Sequence, residues 1–507
     1  MQTSIKVVFN TVILYIKVIL SLVIALISVP LVLKALGASD YGLYNLVAGV
    51  VAMLAFLNNA MTVSSQRYMS VAIGENNDIK INAIFNTSFL LHCILGIFII
   101  IVFEIIGIFA IDKLNIPNNR LWCAKLIYQF LIFSTFIKII AVPFDALINA
   151  KEDMMPLSVI ELIDSILMLS IAIALPYIPG DKLVFYGLGV LVIAIISLSL
   201  KIFWSRRAYK EYRINLKSYK GKFHLKDMMG FTGWNLFAGL AMIGRNQGIA
   251  VIINLFLGTI ANASYGVANQ INGALGHFSS TFQKAINPQL MKSEGMNNRL
   301  RLIRISYISS KFSVLALALF AVPLIIEMDG VLNIWLKDNI PPYSLRLAQL
   351  ILILSLVYQY SVGIMSAIQA TGKIRNYQLI VGSILLLNLP VAYGILKLGY
   401  PIHYIVFAFI LLEIITLCVR LTMAVRLTGL KHNEYLKIVV YPTLINIALP
   451  TAVCLIPYYL MKQSFLRLIV VSSVYCILFL LLMYRLAFDE NQRKLITSHF
   501  NKILTYI

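Results

Sequence analysis

The chain has 507 residues, 60% of them hydrophobic and only 12% charged, against about 25% charged in ordinary soluble domains. That excludes a soluble globular protein and makes the membrane-spanning helix the unit in which the chain is counted. The formal charge of +21 raises nucleic acid as a partner. However, Lys and Arg crowd into short connections between apolar stretches, and no basic patch interleaved with aromatics is present, so nucleic acid is excluded too.

A helix needs about 20 apolar residues to cross hydrocarbon, with all its backbone polar groups satisfied internally. The first apolar run, 7–33, is too long for a signal-peptide core and lacks a small-x-small cleavage site, so it reads as an uncleaved span. Spans follow at 41–66, 84–111, 121–147, 155–174 and 183–204, completing an N-terminal six-helix lobe over 1–204. A basic segment over 205–228 comes next, and the stretch from Lys201 to Asp227 holds nine Lys and Arg residues against Glu211 and Asp227. By the positive-inside rule this connection is cytoplasmic. A second six-helix lobe over 229–425 has spans at 229–258, 264–287, 305–326, 344–370, 377–398 and 403–425. Residues 426–507 add spans at 438–460 and 465–483 and a tail. Every second connection after the basic segment is again cation-rich, with Arg299, Arg301 and Arg304, then Lys373 and Arg375, then Lys431 and Lys437. The expectation is an all-α polytopic protein of about fourteen spans with both termini cytoplasmic.

One phrase occurs twice. "DYGLYNLVAG" and "SYGVANQING" share Tyr-Gly-x-x-Asn-x-x-x-Gly, with Tyr41 and Tyr265 standing 224 positions apart. Six spans separate the copies, so both enter the membrane from the same side. The lobes are therefore parallel repeats, related by a pseudo-twofold axis along the membrane normal, as in transporters that rock one half against the other. Asp40 and Ser264 are placed to cap the following helix, Tyr41 and Tyr265 suit an interface, and Gly42, Gly49, Gly266 and Gly273 suit close helix approach. Asn45, Ala52, Asn59 and Gln66 recur every seven residues, while Asn269, Asn272, Gly276, Ser279, Gln283 and Asn287 recur every three or four. Each set forms one stripe. Amides facing lipid would be costly, so these stripes face either another helix or a hydrated cavity between the halves.

Ionisable residues deep in a span are functional candidates by default. Arg245 sits near the middle of the seventh span, flanked by Asn246 and Gln247; Lys17 lies in the first and Lys138 in the fourth. An Arg in a wet cavity can fork onto a diphosphate, and Lys adds a point charge. The alternative is an internal ion pair. Lys138 is the weaker candidate because its helix is free to pack away from the cavity. Among acids, Glu104, Glu161, Asp164 and Glu413 fall within spans, and Glu161 and Asp164 share one face of the fifth. They are candidates for ion coupling, with pairing to lysines as the alternative. The five cysteines show no C-x-x-C spacing and imply neither metal site nor disulfide framework. With no nucleotide-binding, zincin or nucleophile motif present, the chain reads as neither an enzyme nor a cofactor protein.

The stretch from Gly233 to Gly295, with "LVLKALGASDYGLYNLVAG" and "IQATGKIRNYQLIVGSILLLNLP", strongly resembles bacterial polysaccharide flippases of the O-antigen type. The resemblance covers nearly the whole chain. It implies the fold of the multidrug, oligosaccharidyl-lipid and polysaccharide exporters, with two lobes around a cavity lined by the first, second, seventh and eighth spans. It implies a bacterial inner-membrane protein that moves undecaprenyl-diphosphate-linked oligosaccharide from the cytoplasmic to the periplasmic leaflet. Its partners would be that substrate, membrane lipids and other polysaccharide assembly proteins. Arg245 and Lys17 fit the cationic cavity so implied, and the amides Asn45, Asn59, Asn269, Asn272 and Gln283 would offer hydrogen bonds to sugar hydroxyls. Two other readings stand beside it: a cation-coupled multidrug exporter, which a central Arg disfavours, and a membrane polymerase or ligase, which lacks the outer loop such chemistry needs.

Overall fold

The computed structural model describes residues 2–52, 55–110, 118–210, 214, 222–336 and 340–487, and among them there is no strand. The helices in chain order are α1 (Gln2–Ala52), α2 (Ala55–Gly74), α3 (Asp78–Ala110), α4 (Leu121–Ala150), α5 (Met154–Ala174), α6 (Lys182–Ala208), α7 (Lys222–Gly295) and α8 (Arg299–Ile326). After them come α9 (Met328–Leu336), α10 (Ser344–Thr371), α11 (Arg375–Lys397), α12 (His403–Thr428), α13 (His432–Tyr435), α14 (Tyr441–Leu460) and α15 (Phe465–Leu482). Twelve described helices are long and apolar enough to cross a membrane, so this is a multi-pass membrane protein. The difference from fourteen has two sources. One counted stretch, Lys226–Gly295, holds both the seventh and eighth spans; the second span runs through 53 and 54, outside the described residues. Residues 211–213 and 215–221 of the basic 205–228 segment also lie outside them.

α7, at 74 residues, would measure about 110 Å if straight, several times the hydrocarbon thickness. It is broken at Gly258 (φ 76, ψ −171), and α1 is broken in the same way at Gly37 (φ 77, ψ 164). This backbone region belongs almost solely to glycine. Both breaks lie a few residues before the doubled phrase. The helix therefore restarts before Asp40 and Ser264, and neither caps it. Asp40 accepts instead from Arg120, and the Ser264 hydroxyl donates to the Ile260 carbonyl at 3.1 Å.

The chain divides into two compact units, Met1–Leu240 with Ala285–Asn298, and Ala241–Lys284 with Arg299–Ile507. In the first, α4 is central and packs on α2, α3 and α6, while α1 packs on α5. In the second, α10 packs on α8 and α12, α11 packs on α12, and the α14–α15 hairpin packs on α8. The pattern around α4 recurs around α10, six spans later, as the internal repeat requires. Outward-facing side chains are apolar, with Leu26, Leu255 and Leu460 largely exposed, as expected where lipid is the solvent.

The glycines of the doubled phrase do not provide close packing: a Cβ on Gly42, Gly266 or Gly273 would meet nothing within 4 Å. Gly49 is outside the described side chains. Close approach occurs elsewhere. A Cβ on Gly74 or Gly363 would overlap the Lys292 or Ser306 carbonyl respectively. The Ser306 hydroxyl donates to the Gly363 carbonyl, and the Gly363 amide donates to the Ser310 hydroxyl, both at 3.1 Å.

Candidate functional site

A cavity of about 600 Å³ lies inside the first unit, bounded by α1, α4, α5 and α6. Helical spacing builds its wall. α4 contributes Lys138 and Asp145, two turns apart, α5 contributes Glu161, Asp164, Ser165 and Met168, and α6 contributes Val190, Ala194, Ser197 and Lys201. α1 adds Ser21 and Ser28 on one face, and its continuation past Gly37 adds Tyr41 and Tyr44. Tyr44 meets Tyr186 edge-to-face at 4.8 Å, so Tyr41 and Tyr44 line this cavity.

The charges are arranged unequally. Lys17 pairs with Glu161, which joins two residues expected in different roles, one on substrate and one in coupling. Lys201 spans both oxygens of Asp145, at 2.8 and 2.9 Å. Asp164 accepts from the Ser197 hydroxyl at 2.9 Å through Oδ2, whereas its Oδ1 is buried with no donor. Lys138 lines this cavity within the unit, and its ammonium contacts no carboxylate among the described residues. Two of these residues escaped the sequence reading. Asp145 lies within a predicted span, and Lys201 was grouped with the basic cytoplasmic stretch although it is buried in α6. The legible signal was helical spacing, which aligns Asp145 with Lys138 on α4 and Lys201 with Ser197 on α6.

In the second unit Arg245 is partly exposed and donates only to the Oδ1 of its neighbour Asn246, through Nε at 3.2 Å and Nη2 at 3.0 Å. Among the described residues no carboxylate pairs with it. The acid of this unit that lies within a span, Glu413, is buried and taken by Arg420 at 2.5 Å, seven residues along the same helix. Arg420 also lies over the Tyr358 ring, 5.4 Å from its centroid. The amide stripe of α7 divides. Asn272 accepts from Ser355 at 2.5 Å; Ser279 donates to Gln359 at 2.5 Å, and Gln283 reaches both Ser279 and Gln359 at 3.3 and 3.5 Å. These residues link α7 to α10. Asn269 is exposed and donates only to the Tyr265 carbonyl, at 2.9 Å. The side chains of Asn45 and Asn59 lie outside the described residues.

One further cluster, in the first unit, ties helix ends. Arg120 bridges Asp40 and Asp181, the Cys123 thiol donates to Asp181 at 3.1 Å, and Asp181 caps α6 through the Leu183 and Val184 amides. Partial burial pushes the Asp181 carboxyl up, but the Cys123 thiol, the Val184 and Leu183 amides and Arg120 outweigh it and hold the group below the usual carboxylate range. All five cysteines are free.

No family model and no curated protein matches the chain. Solved structures do. A crystal structure of MATE in the bent conformation aligns with TM-score 0.75 at 14% identity, over 85% of this chain and 97% of that one. An outward-facing conformation of a multidrug resistance MATE family transporter of the MOP superfamily aligns with TM-score 0.74 at 14% identity, over 84% and 96%. A MOP superfamily transporter from Pyrococcus furiosus, whose binding pocket is described as having reverse polarity, aligns with TM-score 0.72 at 14% identity, over 84% and 95%. The chain therefore has the MATE-like fold, two lobes of six helices, with the α14–α15 hairpin following them.

Proposed function

We propose that this chain is a transporter that flips undecaprenyl-diphosphate-linked oligosaccharide between leaflets by alternating access, with Arg245 on the diphosphate. The observation that carries the reading is the state of Arg245. The acid of this unit that lies within a span, Glu413, is already neutralised by Arg420, and Arg245 keeps a guanidinium whose only bonds among the described residues are to Asn246. An unneutralised, partly exposed Arg in a membrane span is costly unless an anion or water meets it, and its planar fork matches a diphosphate. Asn269, exposed and bonded only to its own helix, supplies an amide for sugar hydroxyls; Asn272 and Gln283 support it structurally through α10. The polyprenyl tail would stay in lipid while the polar head, which hydrocarbon rejects, is sheltered. Glu161 and Asp164 supply ion coupling in the first unit, Glu161 paired with Lys17 and Asp164 keeping one buried oxygen without a donor.

The second reading is a cation-coupled multidrug exporter, favoured by the likeness to a structure described as a multidrug resistance MATE family transporter. The two separate in the host. Deleting the protein should leave lipid-linked oligosaccharide on the cytoplasmic side and deplete surface glycan, with drug tolerance unchanged. Normal surface glycan, with heightened sensitivity to cationic drugs, would replace the flippase by the exporter.

A further inference from the structure

A second phrase is doubled. Gly-x-Asn-Asn stands at 74–77 and again at 295–298, closing α2 and α7. Both helices stop in the same way. Asn76 and Asn297 take the left-handed conformation, each at φ 53, and the amides of Asn77 and Asn298 reach back five residues to the Ala72 and Ser293 carbonyls, at 3.2 and 2.9 Å. The last turns of α7 belong to the first unit, and there the two ends cross. A Cβ on Gly74 would overlap the Lys292 carbonyl, and a Cβ on Gly295 would overlap the Val71 carbonyl. Each glycine thus faces the carbonyl three residues before the other glycine, the reciprocal relation that a twofold axis between them produces. α4 ends in a left-handed turn too, but with Glu152 (φ 63) where glycine or asparagine is usual. The Glu152 carboxylate is buried and accepts from Lys292 and Gln289 of α7, and the Glu152 carbonyl accepts from the Asn10 side chain of α1 at 2.9 Å. An unfavourable conformation kept for a glutamate is explained by what its carboxylate holds.

We infer that the crossing of Gly74 and Gly295, strapped by Glu152, is a latch: it is shut in the state seen here and parts when this end of the transport path opens. The inference rests on alternating access as the mode of transport. The cation-rich connection beside it, with Arg299, Arg301 and Arg304, assigns this end to the cytoplasm. Where two backbones touch directly there is no gap for water or a lipid headgroup, and a side chain at either glycine would hold them apart. What joins them is weak and re-formable. Glycine Cα–H groups facing carbonyls contribute little each, and the Lys292–Glu152 pair adds a charge-assisted bond. On parting, both of these charges meet cytoplasmic water, which offsets the bond they lose. Glu152 therefore sets how readily the latch opens, and the glycines set whether it can close.

The test places spin labels on Glu75→Cys and Met296→Cys, exposed positions beside the two glycines, in full-length protein whose five native cysteines are replaced by alanine. The labels should report a short distance as the main population. Glu152→Gln, which keeps the size of the side chain, should raise a longer-distance population severalfold. Gly74→Leu with Gly295→Leu should abolish the short distance in protein that still melts cooperatively. A distance that Glu152→Gln leaves unchanged would overturn the inference, whether or not the leucine variant folds. The same two cysteines, joined by a bifunctional maleimide with a disulfide spacer, show whether the latch must part. In vesicles, with lipid-linked oligosaccharide as the probe, joining should stop flipping and reductant should restore it; full-rate flipping by the joined protein would overturn the inference. Protein that flips nothing before joining loses the flippase reading, and the spin-label distances then decide the latch by themselves.

Discussion

The two units treat membrane-embedded charge in opposite ways. In the first, three lysines and three carboxylates meet around one cavity, where water can share the cost of every ion. In the second, Glu413 and Arg420 are sealed together in the helix packing, with side chains 6% and 2% accessible, while Arg245 stands apart. The lesson is that a charge within a span is not informative by itself. What identifies a functional one is whether its partner has already been supplied by the fold.

The comparison is broken most severely at Arg420. Arg420→Met strands a buried carboxylate and should cost about 3–5 kcal/mol, read as a large drop in the thermal midpoint of the solubilised protein. Glu413→Gln with Arg420→Met should recover most of it. Lys17→Met is the matching change in the hydrated unit, and because Glu161 is about one-third accessible, its loss should stay within about 1 kcal/mol. Equal losses at the two sites would erase the distinction between a sealed and a wet ion pair.

A smaller effect separates close-packed glycines from open ones. Gly363→Ala pushes a methyl into the Ser306 backbone and should cost about 1–3 kcal/mol, whereas Gly266→Ala, with open space around it, should change stability by no more than about 0.5 kcal/mol. Thermal midpoints of the two variants check this directly.

The smallest effect is on pH. Because the folded Asp181 carboxyl is held below its ordinary range, its contribution is complete above the unfolded carboxylate pKa and is lost as pH falls through the lower folded value. The difference in thermal midpoint between wild type and Asp181→Asn should therefore shrink on acidification. A difference that widened at low pH would reverse the assigned direction.

Much of the architecture was legible because apolar length and loop charge are properties of the chain itself. The doubled phrase located the repeat, yet its roles were misassigned. Gly37 and Gly258 break the helices earlier than the capping residues suggested, since a positive φ is written only as a glycine among others. Site residues were harder. Arg245 is conspicuous as an isolated charge, but that Glu161 belongs to Lys17, and that Lys201 lies within the membrane beside Asp145, depends on which helices pack together. Such distances between helices are set by tertiary packing, and spacing along one helix reveals only half of each pair.

The most direct measurement of the central claim is flipping of lipid-linked oligosaccharide by the purified protein in vesicles, comparing wild type with Arg245→Ala and Arg245→Lys. The account predicts no flipping by the Ala variant and partial flipping by Lys, which keeps the charge but loses the fork. Full-rate flipping by a normally inserted Ala variant would contradict it.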